Sequence, residues 1–285
     1  MENLKTLYKN FCLVLILFIT MVVSVPYSNA SLFDFIVFPE DFNKNHPQTY
    51  QLFHTIEISP KAQELFENIK DRHDTIKVNF SETCFSQGNF SHDTKEMNIS
   101  TRVLDFPNIF CEVFLWEACN AANFSLTLPQ QFSRSDKEFA FFMEAAEHQS
   151  CVKRTEILKD YMQKAQENSV LKKIIEESLH MEISESIQKL DNDLRLSFKN
   201  YWEKANKLTK SSQFNEEYTH SKFYRDCYKE NQDFFQLQLT DNYNSQMLNL
   251  IKYAFSFWKN KEDIPYISTT TQEFYRKVIA ESLGE

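Results

Sequence analysis

Apolar residues recur along this chain with two periods, and the change from one to the other divides it. Over residues 75–80 they alternate, placing Ile76, Val78 and Phe80 on one face, and residues 84–90 and 97–103 repeat the pattern. Alternation of this kind predicts half-buried strands. The polar stretch Ser91-His92-Asp93-Thr94-Lys95 between the last two predicts a hairpin turn. Residues 50–58 alternate as well and predict one more strand. The Phe-rich residues 31–39 predict an edge strand or a docking arm, and residues 40–49, which include Pro47, a loop. Ser59-Pro60 reads as an N-cap followed by proline in the first turn. It opens a helix to residue 71 with Ala62, Leu65, Phe66 and Ile69 on one stripe.

Residues 105–123 form the most informative stretch. Asp105 suits an N-cap, Pro107 the first turn and Asn123 a stop. At 100° per residue Phe110, Val113, Phe114, Glu117 and Ala121 share one face, while Cys111, Leu115 and Cys119 occupy the other. Only Glu112 is clearly suited to water, so this helix is expected to be buried. Glu117 then lies in the middle of an apolar arc, where a carboxylate is costly without a partner.

After Pro129 the period is helical. Ser135-Asp136-Lys137-Glu138 is a capping box. The helix it opens extends to residue 168, with Phe139, Met143, Ala146, Ser150, Ile157 and Tyr161 toward the core. Residues 169–208 predict a second long helix, carrying Ile183, Ile187, Leu190, Leu194, Tyr201, Ala205 and Leu208 at steps of three and four with one gap of seven. That spacing fits antiparallel packing or a short coiled coil. Shorter helices are expected at 215–237 and 240–260. Pro265 breaks the pattern, and Thr270-Thr271-Gln272-Glu273 caps a last helix ending near Gly284. The expected fold is α+β and predominantly helical: a small three- to four-stranded sheet with a buried central helix, followed by a helical C-terminal region. The expected boundaries are 1–30 for a leader, 31–134 for the α+β core and 135–285 for the helical region, packing on the core or extending from it.

Composition narrows the function. Lys5 and Lys9, an apolar run over residues 11–25 and Ser28-Asn29-Ala30 read as a secretory signal cleaved near Ala30. Export to a periplasm or to the exterior is the expectation, with no membrane span once the signal is removed. Forty acidic against 31 basic residues argue against nucleic acid as a partner. The two glycines, Gly88 and Gly284, are too few for a phosphate loop, a dinucleotide fingerprint or a nucleophile elbow. Cys84, Cys111, Cys119, Cys151 and Cys227 are odd in number and lack a Cys-x-x-Cys pair. The 27 Phe, 12 Tyr and 3 Trp residues, at helical spacing, are assigned to the core. Asn-x-Ser sequons begin at Asn79, Asn89, Asn98 and Asn123, which chance accounts for in a chain rich in both residues.

The order helix, strand, edge hairpin, buried helix over residues 59–150 resembles the zincin metallopeptidases. That family carries His-Glu-x-x-His on its buried helix: two imidazoles one turn apart bind zinc, and the Glu is general base to the zinc-bound water. Trp116-Glu117-Ala118-Cys119-Asn120 stands in the equivalent span, keeping the Glu as Glu117 and replacing the imidazoles by Trp116 and Asn120. The resemblance therefore implies a degenerate site. It also implies that Glu144 or Glu147, i and i+3 on the next helix with Cys151 a turn further, stands where some zincins take a third ligand.

The residues by themselves support plainer roles. Glu117 suits a structural carboxylate, bonded to main-chain amides of the hairpin or paired with Arg102 or Arg154. Glu144 and Glu147 suit a solvated flank, and His148 an exposed side chain. No two His residues fall at i, i+3 or i, i+4. The resulting expectation is a non-catalytic protein without cofactor or metal, which binds a protein partner or associates with itself through helices 169–208. The alternative is a peptidase-like hydrolase with Glu117 as general base and Asn120, Glu144 and Glu147 lining its site; zinc belongs to that alternative alone.

Overall fold

The computed structural model describes residues 32–82, 87–123, 126–207, 209–210, 217–237, 243–258 and 262–283. The leader at 1–30, Cys84 with the start of its expected strand, Leu208 and Gly284 lie outside them. One compact unit extends from Phe35 to Glu285.

The fold is α+β and mostly helical. Four strands, β1 (Ile36–Val37), β2 (Ile76–Ser81), β3 (Gly88–Ser91) and β4 (Glu96–Ser100), form a sheet in the order β1-β2-β4-β3. β1, β2 and β4 are parallel, and β3 runs antiparallel to β4 at the edge. Alternation sorts the faces. Ile76, Val78, Met97 and Ile99 are buried, whereas Lys77 is exposed and Asn79, Glu96 and Asn98 are half-buried. Asn79, Asn98 and Asn89 stand in register on neighbouring strands. Asn79 Nδ2 donates to Asn98 Oδ1 at 3.3 Å and Asn98 Nδ2 to Asn89 Oδ1 at 3.0 Å. Three of the four sequon asparagines thus form one polar row.

Parallel neighbours require a crossover, and between β1 and β2 it is made of α1 (Phe42–Asn45), α2 (Pro47–Thr55) and α3 (Pro60–Lys70). The loop expected at 40–49 therefore contains helix, and the strand expected at 50–58 is α2 followed by a 3₁₀ turn at Ile56–Ile58. The apparent alternation misleads there because Leu52, Phe53 and Ile56 are buried at helical spacing and Pro47 presets the first turn. Ser59 caps α3 as expected, accepting from the Ala62 amide at 3.2 Å.

α4 (Pro107–Ala122) is buried nearly all round beyond its first turn, where Glu112 is exposed between buried neighbours; Ile109 in the first turn is exposed as well. Phe106 precedes it without a side-chain cap; Asp105 instead meets His46 Nδ1 at 3.0 Å. Phe114 packs against the rings of Phe38, Phe53, Phe66 and Phe110.

After α5 (Pro129–Phe132), Ser135 caps the 31-residue α6 (Asp136–Gln166), accepting from the Glu138 amide. The helix expected over 169–208 is three: α7 (Ser169–Leu179), α8 (Ile183–Leu194) and α9 (Phe198–Ala205). His180 at φ 53° ends α7, and Ser197 caps α9 inside the seven-residue gap between Leu194 and Tyr201. A short antiparallel pair, β5 (Thr209–Lys210) and β6 (Glu217–Tyr218), leads to α10 (His220–Glu230), α11 (Gln232–Leu237), α12 (Ser245–Phe255) and α13 (Thr269–Leu283). α13 is capped by Ser268, which accepts from the Thr271 amide, two residues before the expected position. α6 packs on α3 and α4 along one stretch and on α8, α9, α10 and α12 along others. Its Phe139, Phe141 and Phe142 enter a second core with Phe198, Trp202, Tyr228, Phe255 and Tyr275.

Two substitutions test this packing. Phe114→Ala empties the centre of the first aromatic cluster and is expected to cost about 3–5 kcal/mol in chemical denaturation. At Gly88 an added Cβ falls 2.8 Å from Val113 Cγ1 and 3.0 Å from Glu117 Cγ. Gly88→Ala is therefore expected to cost about 1–3 kcal/mol, since β3 has to lift from α4 to admit it.

Candidate functional site

Three helices and the edge strand bring the site together. α4 contributes Trp116, Glu117 and Asn120 from one turn. α6 contributes Glu144 and Glu147, and α10 contributes His220 and Tyr224, also one turn apart. β3 lies over Glu117, with Gly88 leaving room for its carboxylate; a Cβ there would sit 3.2 Å from Oε1.

Glu117 is 6% exposed and Glu144 0%, so both are core carboxyls. The solvated flank expected for Glu144 does not exist, because α10 covers it. His220 Nδ1 lies 2.8 Å and 3.0 Å from the two Glu144 oxygens. Glu147 is half-buried and receives two hydrogen bonds, from Trp116 Nε1 at 3.0 Å and from the Tyr224 hydroxyl at 2.9 Å. Glu117 Oε2 accepts from Asn120 Nδ2 at 3.1 Å, and the Phe90 main-chain N–H also donates to this carboxyl. The hairpin-amide partner expected of Glu117 is thus present, in place of Arg102 or Arg154. The Arg154 guanidinium instead covers the Trp116 ring at 4.7 Å.

The electrostatics follow from this geometry. Burial, and next the facing Glu147, push the Glu117 carboxyl up to about 8, against the smaller opposing effect of its Asn120 and Phe90 hydrogen bonds. Glu144 is raised by burial, with His220 opposing. Burial acts to lower His220, but the Glu144 bond and the charges of Glu144 and Glu147 outweigh it and the imidazole is raised. Tyr224 is held far above its ordinary value by burial beside Glu147 and Glu144. The cluster is therefore built to hold protons.

Zinc does not fit these residues. The indole at the first imidazole position has no lone pair for a metal and spends its N–H on Glu147. The carboxamide at the second turns its nitrogen to Glu117 and offers only a neutral oxygen, Oδ1, a poor ligand by itself. Of the two carboxyls implied for a third ligand, Glu144 has both oxygens against His220 and Glu147 accepts from Trp116 and Tyr224. Among the described residues no three His, Cys, Asp or Glu side chains converge as a metal site requires.

The four residues singled out in the sequence, Glu117, Asn120, Glu144 and Glu147, fall in this one cluster. His220 and Tyr224 went unrecognised there; their i, i+4 spacing is the sole local signal, and their partners lie 76 and 77 residues away. His148 is buried, not exposed: Nε2 donates to Leu196 O at 2.9 Å and Nδ1 accepts from Tyr253 OH at 2.5 Å. Cys111, Cys119, Cys151 and Cys227 are free thiols. Burial pushes Cys119 up to about 12, so it is no nucleophile at neutral pH.

Compared with protein families, curated proteins and solved structures, the chain matches none.

Glu147→Gln removes the like charge facing Glu117 and keeps one acceptor oxygen for its two donors, Trp116 and Tyr224. The Glu117 carboxyl is then expected to titrate below about 8, measured by side-chain carbon NMR. An unchanged midpoint would show that burial alone sets it.

Proposed function

We propose that this chain is an exported, non-catalytic binding protein whose zincin-like core has exchanged a metal centre for a hydrogen-bonded one. The observation that carries this reading is the orientation of the two side chains at the imidazole positions. Trp116 Nε1 points at Glu147 and Asn120 Nδ2 at Glu117, so each joins a carboxyl instead of a metal. With Gly88 packed over Glu117, the core is a scaffold. Binding is assigned to the helical region, with α7, α8 and α9 offering the surface to a protein partner or a second copy of the chain. α8 supports this: Ile187, Leu190 and Leu194 are half-buried beside exposed Glu185, Gln188, Lys189 and Asn192, a mixed rim of the kind found at protein interfaces. No helix among the described residues is long and apolar enough to cross a membrane.

One observation favours a hydrolase instead: a carboxyl raised to about 8 exchanges protons near neutrality, as a general acid or base does. Glu117→Gln separates the two. On the scaffold reading the wild-type chain, dialysed against zinc, cleaves no peptide in a mixed-sequence library, and the variant is indistinguishable from it. Cleavage by the wild type that disappears in a folded Glu117→Gln variant would overturn the proposal. For the binding half, Leu190→Glu is expected to abolish concentration-dependent association or partner capture without changing the circular dichroism spectrum.

A further inference from the structure

The edge strand β3 and the turn that follows it rest on α4 at two places, and each holds a group whose charge does not suit it. At the first, Gly88 and the Phe90 amide close over the Glu117 carboxyl. Glu147 faces it from α6, Asn120 contributes a carboxamide from the same helix, and the neighbouring Cys119 thiol is neutral. The charged group opposed to Glu117 is thus another carboxylate.

At the second place, His92 at the hairpin turn meets His73, which follows α3. Their ring centres are 6.5 Å apart, with the Phe90 ring 5.6 Å from His73 and 5.0 Å from His92. His73 Nε2 donates to Ala121 O at 3.2 Å, and its second ring nitrogen, Nδ1, is turned away from that carbonyl. That Nδ1 and His92 Nε2 are both buried without a partner. Asp93 and the Asn120 carbonyl are the groups that favour charge on His92; burial and His73 disfavour it more.

Lifting β3 and its turn returns both groups to water. Lowering them covers a carboxyl beside a carboxylate and an imidazole beside an imidazole, and the neutral form is the one that fits in each. We propose that docking of the edge strand β3 and its turn on α4 is a proton exchange with solvent, in which Glu117 takes up one proton and His92 releases one.

The two linkages have opposite signs. Docked Glu117 titrates near 8 and its ordinary value is 4.5, so the docked state holds the extra proton between those limits. Docking therefore weakens as pH rises through that window, up to about tenfold per pH unit. Docked His92 titrates below its ordinary 6.5, so the open state holds the extra proton and docking weakens as pH falls below 6.5. Below 6.5 the two slopes oppose each other; from 6.5 to 8 that of Glu117 dominates. The inference does not depend on whether the core is a scaffold or an enzyme.

Hydrogen exchange at the amides of residues 88–91, corrected for intrinsic rates, reads the docking equilibrium, and the amides of α12 read global unfolding. In the wild type, protection at 88–91 is expected to change less steeply below pH 6.5 than above it, and to fall by about tenfold or more between pH 6.5 and pH 8, with α12 unchanged. Glu117→Gln abolishes that alkaline fall and leaves a loss of protection on the acid side. His92→Gln leaves the alkaline fall and removes the flattening below pH 6.5, so that protection keeps rising as pH drops. If Glu117→Gln does not fold, Glu147→Gln gives the same reading as a smaller alkaline fall. No alkaline fall in the wild type, a fall that persists undiminished in the folded Glu117 or Glu147 variant, or an equal loss at α12 would each overturn the proposal. So would a flattening below pH 6.5 that survives His92→Gln.

Discussion

The carboxyl of Glu117, enclosed between the edge strand and α6, is the constraint from which the rest of the core can be understood. An ionised group in that position would face Glu147 across a dry space, and desolvation is the larger penalty of the two. Each neighbouring element answers it. β3 supplies an amide and, through Gly88, the room to approach; α4 supplies the Asn120 donor; α6 carries the acid whose own needs are met by Trp116 and Tyr224. Removing any of these donors leaves a buried oxygen unsatisfied, which costs more than the bond itself contributes.

A second consequence concerns how the helices are held in place. α10 is joined to α6 by two polar links on successive turns, His220 to Glu144 and Tyr224 to Glu147, in addition to aromatic packing. Apolar contact tolerates sliding, whereas a pair of directional bonds one turn apart fixes rotation and register together. On the scaffold reading, the side chains that replaced metal ligands carry this load on the α4 side and the α10 pair carries it on the other.

Local pattern made a good deal of this legible. The strand alternation at Ile76 and Val78 is local, as are the Ser59 and Ser135 caps and the apolar character of α4, and each appears where its own residues put it. Glu117 stood out because a charge on an apolar face is visible in one turn of sequence. What failed was settled by distant contacts. Residues 50–58 satisfy two periods, and the choice went to the helix that buries Phe53 against α4. Glu144 looked like one of a polar i, i+3 pair, and only α10, more than seventy residues on, turns it into a core residue. The seven-residue gap after Leu194 was visible, but Ser197 had to be weighed as a cap for it to be seen as a break.

α6 belongs to both regions at once. It is roughly 45 Å long, and its N-terminal half lines the second aromatic core while its later turns lie against α3 and α4. A gene fragment ended at residue 134 would strip the sheet-bearing half of its floor, and one begun there would leave half of a helix's apolar surface bare. The change in sequence period near Pro129 therefore marks no place where the molecule can be divided: two textures of sequence share one beam, and expression, proteolysis and domain exchange have to treat them as a single piece.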